Sequence, residues 1–245
     1  MRYYEQGNLY EYLEKSTGLL CWRDIVEMLW SIAAGLNVIH EADLVHGHIH
    51  GGNILVENEA DSIDTRIADS GLHGLVDKPS QQIYGVIPFI APEIFNGNTP
   101  KKESDIYSFG MIMWMLSAGV RPYYDRPHNL QLVQDICSGL RPSVVEGTPP
   151  VYSKLMFECL DANPSNRPTA YKLYECFGDW VSAICDDPNT SELSVQFDAA
   201  EEAKFANLEK SVSYNDSSIH EKAIYTSRPL NPYIRSTQPF LYGKM

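Results

Sequence analysis

The chain has 245 residues with 44% hydrophobic and 11% aromatic content, enough for one good-sized core with a tail beyond it. A net charge of −13 and a sequence pI near 4.9 argue against nucleic acid or an anionic membrane as partners, since both need clustered cations. The five cysteines are widely spaced without a C-x-x-C pair and read as reduced thiols of a cytoplasmic protein, most of them buried. No basic-then-apolar leader follows Met1, and the longest apolar run, Met111 to Leu116, is far too short to span a bilayer.

Ile25, Met28, Leu29, Ile32, Leu36 and Ile39 recur at three- and four-residue intervals, which predicts one face of a long amphipathic helix ending near Ala42. Ile54-Leu55-Val56 and Ile67-Ala68 then read as short strands, and Pro88 makes Ile87-Pro88-Phe89-Ile90 an ordered loop. The segment Asp105 to Leu116, DIYSFGMIMWML, is apolar almost all round and must stand inside a core as its central pillar. Asn129 is suited to cap a helix that runs to Ser138 and stops at Gly139. Val151 to Leu160 has a helical pattern, and Leu173, Phe177, Trp180 and Ile184 form a further stripe. Composition shifts after Asp186, so residues 186–245 read as a polar, partly disordered or peripherally docked extension, with a helical pattern from Ser191 to Lys210. Phe240, Leu241 and Tyr242 are candidates to cover a face of the lobe.

Short motifs follow in a fixed order: Asn53-Ile-Leu-Val, Asp69-Ser70-Gly71, Ala91-Pro92-Glu93, Asp105-Ile-Tyr-Ser-Phe-Gly110 and Asn166-Arg167-Pro168. Order and spacing closely resemble the C-terminal lobe of a protein kinase of the tyrosine-kinase-like branch. The resemblance runs from Met1 to Ile184, which makes residues 1–185 the lobe. It implies a mainly α fold with a few short β-strands, the polar extension behind it, and no N-terminal lobe. It also implies ATP and Mg²⁺ as cofactors. Asn53 resembles the catalytic-loop asparagine and Asp69 the aspartate of Asp-Phe-Gly, both metal ligands, in a chemistry that is mostly positioning and charge neutralisation. Leu55 resembles the residue beneath the adenine ring, and Tyr3-Tyr4-Glu5 the hinge. Glu93 with Arg167 resembles the family's internal ion pair, and Asp105 its anchor at the head of the central helix, a plain N-cap being the alternative.

Departures from the family pattern bear on activity. Aligned on Asn53, His46-Gly47-His48 stands at the His-Arg-Asp triplet: His46 matches the structural histidine, Gly47 replaces the arginine, and His48 replaces the catalytic aspartate. A general base of that kind contributes ~10²–10⁴-fold; an imidazole accepts protons at neutral pH but is bulkier and can turn cationic beside a metal. His50 stands where many kinases carry a lysine, Ser70 replaces the Phe of Asp-Phe-Gly, and Val86 replaces a threonine. Ser80 and Tyr84 are candidate phosphorylation sites, with no arginine at Gly47 to dock the phosphate. An alternative is that His46, His48 and His50 bind zinc; it needs an extended backbone, which a catalytic loop does not have, and no Cys or carboxylate lies nearby at ligand spacing. No G-x-G-x-x-G is present, so ATP binding is expected to be weak or absent.

Three functions remain open. The first is a pseudokinase-like signalling module that presents its activation segment and the Asn129 helix to a protein partner. The second is an ATP-dependent kinase that needs an N-terminal lobe supplied elsewhere. The third is a truncated product without a function of its own.

Overall fold

A computed structural model describes residues 4–16, 20–58, 63–69, 83–185, 191–211 and 219–237. Helix α1 (Leu9–Lys15) starts where the Asn8 side chain accepts the N–H groups of Tyr10 and Glu11, donors that a first turn leaves open. Helix α2 (Trp22–Glu41) ends at Ala42 and buries the face that carries Ile25, Met28, Leu29, Ile32 and Leu36. A 3-10 turn, Gly51–Asn53, leads into β1 (Ile54–Asn58), which pairs antiparallel with β2 (Ile63–Ile67), Ile54 opposite Ile67. The buried Thr65 hydroxyl donates to the Met28 carbonyl at 2.9 Å and ties this hairpin to α2.

Strand β3 (Tyr84–Gly85) precedes a 3-10 turn, Ile87–Phe89, and α3 (Pro92–Phe95), whose first residue is a proline that has no N–H to leave unsatisfied. Helix α4 (Lys102–Ala118) is the expected pillar, buried at every residue from Ser104 to Ser117. With no polar face it is stable only when surrounded. Helix α5 (Leu130–Cys137) is capped by the Asn129 side chain, which accepts the Leu132 N–H, and the chain leaves it through Gly139. Helices α6 (Pro150–Cys159) and α7 (Ala170–Cys185) complete the lobe, α6 against α4 and α7 against α2. Where α4 meets α6, a Cβ on Gly110 would lie 2.8 Å from the Cys159 Cβ, so the close approach requires glycine.

The described parts of the extension are docked. Helix α8 (Glu192–Ser211) packs on α2, α6 and α7 and buries Phe197 and Ala200. Its Glu201 accepts the Trp22 N–H at 2.8 Å, and its Lys204 donates to the Leu20 carbonyl. Strand β4 (Arg228–Pro229) pairs antiparallel with β3, and α9 (Asn231–Thr237) lies against α3 and α5. A few apolar anchors do this, which a reading of bulk composition misses. Phe240, Leu241 and Tyr242 lie outside the described residues, as do Tyr3, Ser70 and Ser80. All five cysteines are free; only Cys159 is fully buried and Cys185 is exposed, so fewer thiols are inside than their spacing led one to expect. Among the described residues no helix is long and apolar enough to cross a membrane.

Candidate functional site

Asp105, 1% exposed, organises the loop between α2 and β1. One carboxylate oxygen accepts the His46 N–H at 2.8 Å and a bond from the His40 ring at 3.0 Å; the other accepts the Gly47 N–H at 2.7 Å. Closing the first turn of α4 falls instead to Ser104, whose hydroxyl accepts the Lys101 N–H at 2.9 Å. Asp105 thus ties the loop to the pillar rather than capping the helix. Gly47 has φ 74, a left-handed backbone that glycine adopts without strain and that presents its N–H to Asp105.

The three alternating histidines are all buried, each with a different job. His46 accepts the His48 N–H through Nδ1 at 3.2 Å and donates from Nε2 to the Ala68 carbonyl at 2.9 Å. The His48 carbonyl accepts the Asn53 side-chain amide at 3.0 Å. His50 accepts the Gly52 N–H through Nδ1 at 3.1 Å and stacks on Tyr10. They do not converge: among the described residues no group of three or more His, Cys, Asp or Glu is placed to hold a metal ion.

Asn53 and Asp69 meet at one corner, because the Asn53 carbonyl accepts the Ala68 N–H at 2.8 Å. Asp69 is exposed, with φ 65. With the Asn53 amide nitrogen committed to His48, its Oδ1 and the Asp69 carboxylate are the atoms that can face a cation. Both are hard oxygen donors of the kind Mg²⁺ takes, so the donor set fits that ion. On the other side of β1, Asn8 bridges to half-buried Leu55, the Val56 N–H donates to the Gly7 carbonyl at 2.9 Å, and the Gly7 N–H donates to Tyr4 at 3.1 Å. Tyr4 and Leu55 therefore belong to one edge of the lobe. Further off, Glu93 and Arg167 form a two-pronged pair at 2.7 and 2.8 Å. Tyr84 lies exposed in β3, and Val86 is buried.

Two contributors escaped sequence reading. His40, the third group on Asp105, lies four residues after Leu36 on the buried face of α2, so its position in the helical pattern was its signal. Tyr10 beneath His50 carried none.

Burial, helped by the neighbouring His48 and His46, lowers the His50 pKa to about 4 against an opposing pull from Asp69. Its folded value lies below the unfolded 6.5, so this contribution to stability is complete above pH 6.5 and is lost as pH falls toward 4. The loss is expected to reach about 3 kcal/mol. Urea unfolding measured across that window should show the slope, and a His50→Asn variant, which keeps an acceptor for Gly52, should lack that part of it. An unchanged slope would place the titration elsewhere.

A family model described as protein tyrosine and serine/threonine kinase matches residues 1–177. The chain is 28% identical over 71% of its length to "Probable serine/threonine-protein kinase drkA" of Dictyostelium discoideum, and covers 27% of that protein. It is 28% identical over 79% of its length to ephrin type-A receptor 3 of Danio rerio, covering 21% of it. With "Probable serine/threonine-protein kinase roco8" of Dictyostelium discoideum it shares 31% identity over 69% of its length, covering 10% of that protein. It thus spans about a quarter or less of the length of these relatives. A family match over more than two thirds of the chain, on a helical lobe whose loop, pillar and ion pair stand where the motif spacing put them, means that the chain belongs to the protein tyrosine and serine/threonine kinase family.

Proposed function

We propose that this chain is a catalytically impaired kinase lobe that works as a cytoplasmic signalling module, presenting the surface around residues 83–95 and α5 to a protein partner. The observation that carries this reading is His48. Where the family resemblance calls for a carboxylate to take the acceptor's proton, there is a buried imidazole, in a loop held by Asp105, His46 and Asn53. A missing general base removes roughly 10²–10⁴-fold of rate. Gly47 also offers no cation to a phosphate on Tyr84.

A second reading is favoured by Asn53 and Asp69, whose oxygens suit Mg²⁺. On that reading the lobe belongs to an ATP-dependent kinase of Ser, Thr or Tyr, and the phosphate clamp comes from a glycine-rich lobe on a preceding segment or another chain. Mg²⁺ would supply neutralisation of phosphate charge, while Asn53 and Asp69 would position it.

Calorimetric titration with ATP, with Mg²⁺ and then with chelator, tests whether Asn53 and Asp69 of this chain alone still hold a metal–nucleotide complex. The expected result is no saturable binding up to millimolar ATP and no phosphate transfer to a generic protein substrate, by the chain or by a His48→Asp variant. Mg²⁺-dependent saturation, with transfer that rises in His48→Asp, would establish the second reading instead.

A further inference from the structure

We propose that the lobe binds a small planar aromatic carboxylate in the cavity between α2, β2 and α7, against a wall made by Trp30 and Tyr174. The cavity measures about 420 Å³, within the range that small-molecule sites occupy. Trp30 on α2 and Tyr174 on α7 stack with ring centres 5.9 Å apart and planes 13° apart. Each is 36% exposed, whereas Trp22, Trp114 and Trp180 are buried. An exposed aromatic pair lining a cavity leaves ring surface for a further ring, and offset stacking is an arrangement that such rings prefer.

Two glycines shape this place. Glycine inside a helix weakens it, so each calls for a reason. Gly178 of α7 has one in the packing: a Cβ there would lie 3.3 Å from the Trp30 Nε1, and its absence lets the indole lie against the helix. Gly35 of α2 has none, since a Cβ would meet only Ile67, at 3.5 Å, an ordinary contact. Gly110 is the opposite case, its Cβ being pressed into Cys159. What the missing side chain of Gly35 leaves open is the floor of the cavity. At the rim, Arg66 Nε and Nη2 both donate to one oxygen of Asp64, at 3.0 and 2.7 Å. The Arg66 side chain is 61% exposed against 20% for Asp64, so the charge that a ligand meets first is positive, and the Nη1 edge of the guanidinium suits a carboxylate. The ligand is therefore an anion rather than an amine. Ile67 lines the cavity and leads through Ala68 to Asp69, so an occupant rests against the strand that delivers the Asn53–Asp69 corner.

The inference goes beyond the function proposed above, and its test needs neither nucleotide nor protein partner. Naphthoate is the probe, titrated into the isotope-labelled full chain while the indole N–H signals of its four tryptophans are followed by NMR. A Trp30→Phe variant identifies the Trp30 signal, which should shift saturably with a dissociation constant of roughly 0.1–1 mM. Gly35→Leu, which fills the floor, should weaken binding about 10-fold or more, and Tyr174→Ala, a surface change that leaves the fold intact, about 2- to 10-fold. In Arg66→Gln the acid should lose its advantage over naphthylmethylamine, which has the same rings and the opposite charge. No saturable shift by about 10 mM, unchanged binding in Gly35→Leu or in Tyr174→Ala, or an amine that binds the unaltered chain as tightly as the acid would each overturn the proposal.

Discussion

Replacing Arg167 with alanine is expected to lower the unfolding free energy by about 3–5 kcal/mol, a large part of a typical domain's total. The Arg167 side chain is fully buried and its partner Glu93 is 14% exposed. Besides the two bonds to Glu93, its guanidinium donates to the Glu103 carbonyl at 2.8 Å and to the Asp161 carbonyl at 2.9 Å, and it lies 5.2 Å from the Tyr107 ring centre. Truncation leaves a largely buried carboxylate without a counter-charge and takes one donor from each of two carbonyls. Lysine should rescue little, because a single ammonium cannot reproduce the planar fork. Removing both charges with Glu93→Gln and Arg167→Met should cost less than Arg167→Ala, since no bare ion remains. Urea denaturation of the set measures this, and a loss below about 1 kcal/mol for Arg167→Ala would mean that water already shares the pair.

Asp105→Ala is expected to cost a similar amount, about 3–5 kcal/mol, by a different route. Three donors converge on this carboxylate: the N–H groups of His46 and Gly47 and the His40 ring. Each buried donor left without an acceptor costs roughly 1–3 kcal/mol. Asparagine keeps one acceptor oxygen but turns an NH₂ toward another donor, so Asp105→Asn should fall between wild type and alanine. Amide exchange at His46 and Gly47 provides the local readout, and should speed up in both variants ahead of global unfolding. If those two amides remained as protected as before, the loop would be held by something other than Asp105.

Local patterns made much of the fold legible. The face of α2, the all-round apolar α4, the Asn129 cap and the stripe of α7 each follow from residues a turn or two apart, where burial and helix period leave the same mark. The β3–β4 pair was not legible. It joins two-residue strands, one of which contains a proline, and its main anchor is the single leucine Leu230. Glu93 and Arg167 are 74 residues apart and were found only through motif spacing. Alternation of His46, His48 and His50 leaves a zinc option open on paper, because an extended strand would put them on one face. The left-handed turn at Gly47 and the 3-10 turn after His50 divide those directions, a backbone fact that residue types do not announce.

Two of the docking contacts span most of the chain: Trp22 to Glu201 is 179 residues, and Ile83 to Asn231 is 148. Contacts this remote close the largest loops and tend to form late in folding. During synthesis the edge of β3 must wait roughly 7–30 s for its complement to leave the ribosome. Bonds that form after the rate-limiting step scarcely affect how fast a domain forms but slow its coming apart. The contacts of Glu201 and Asn231 are thus expected to act on the lifetime of the folded lobe more than on its speed of assembly.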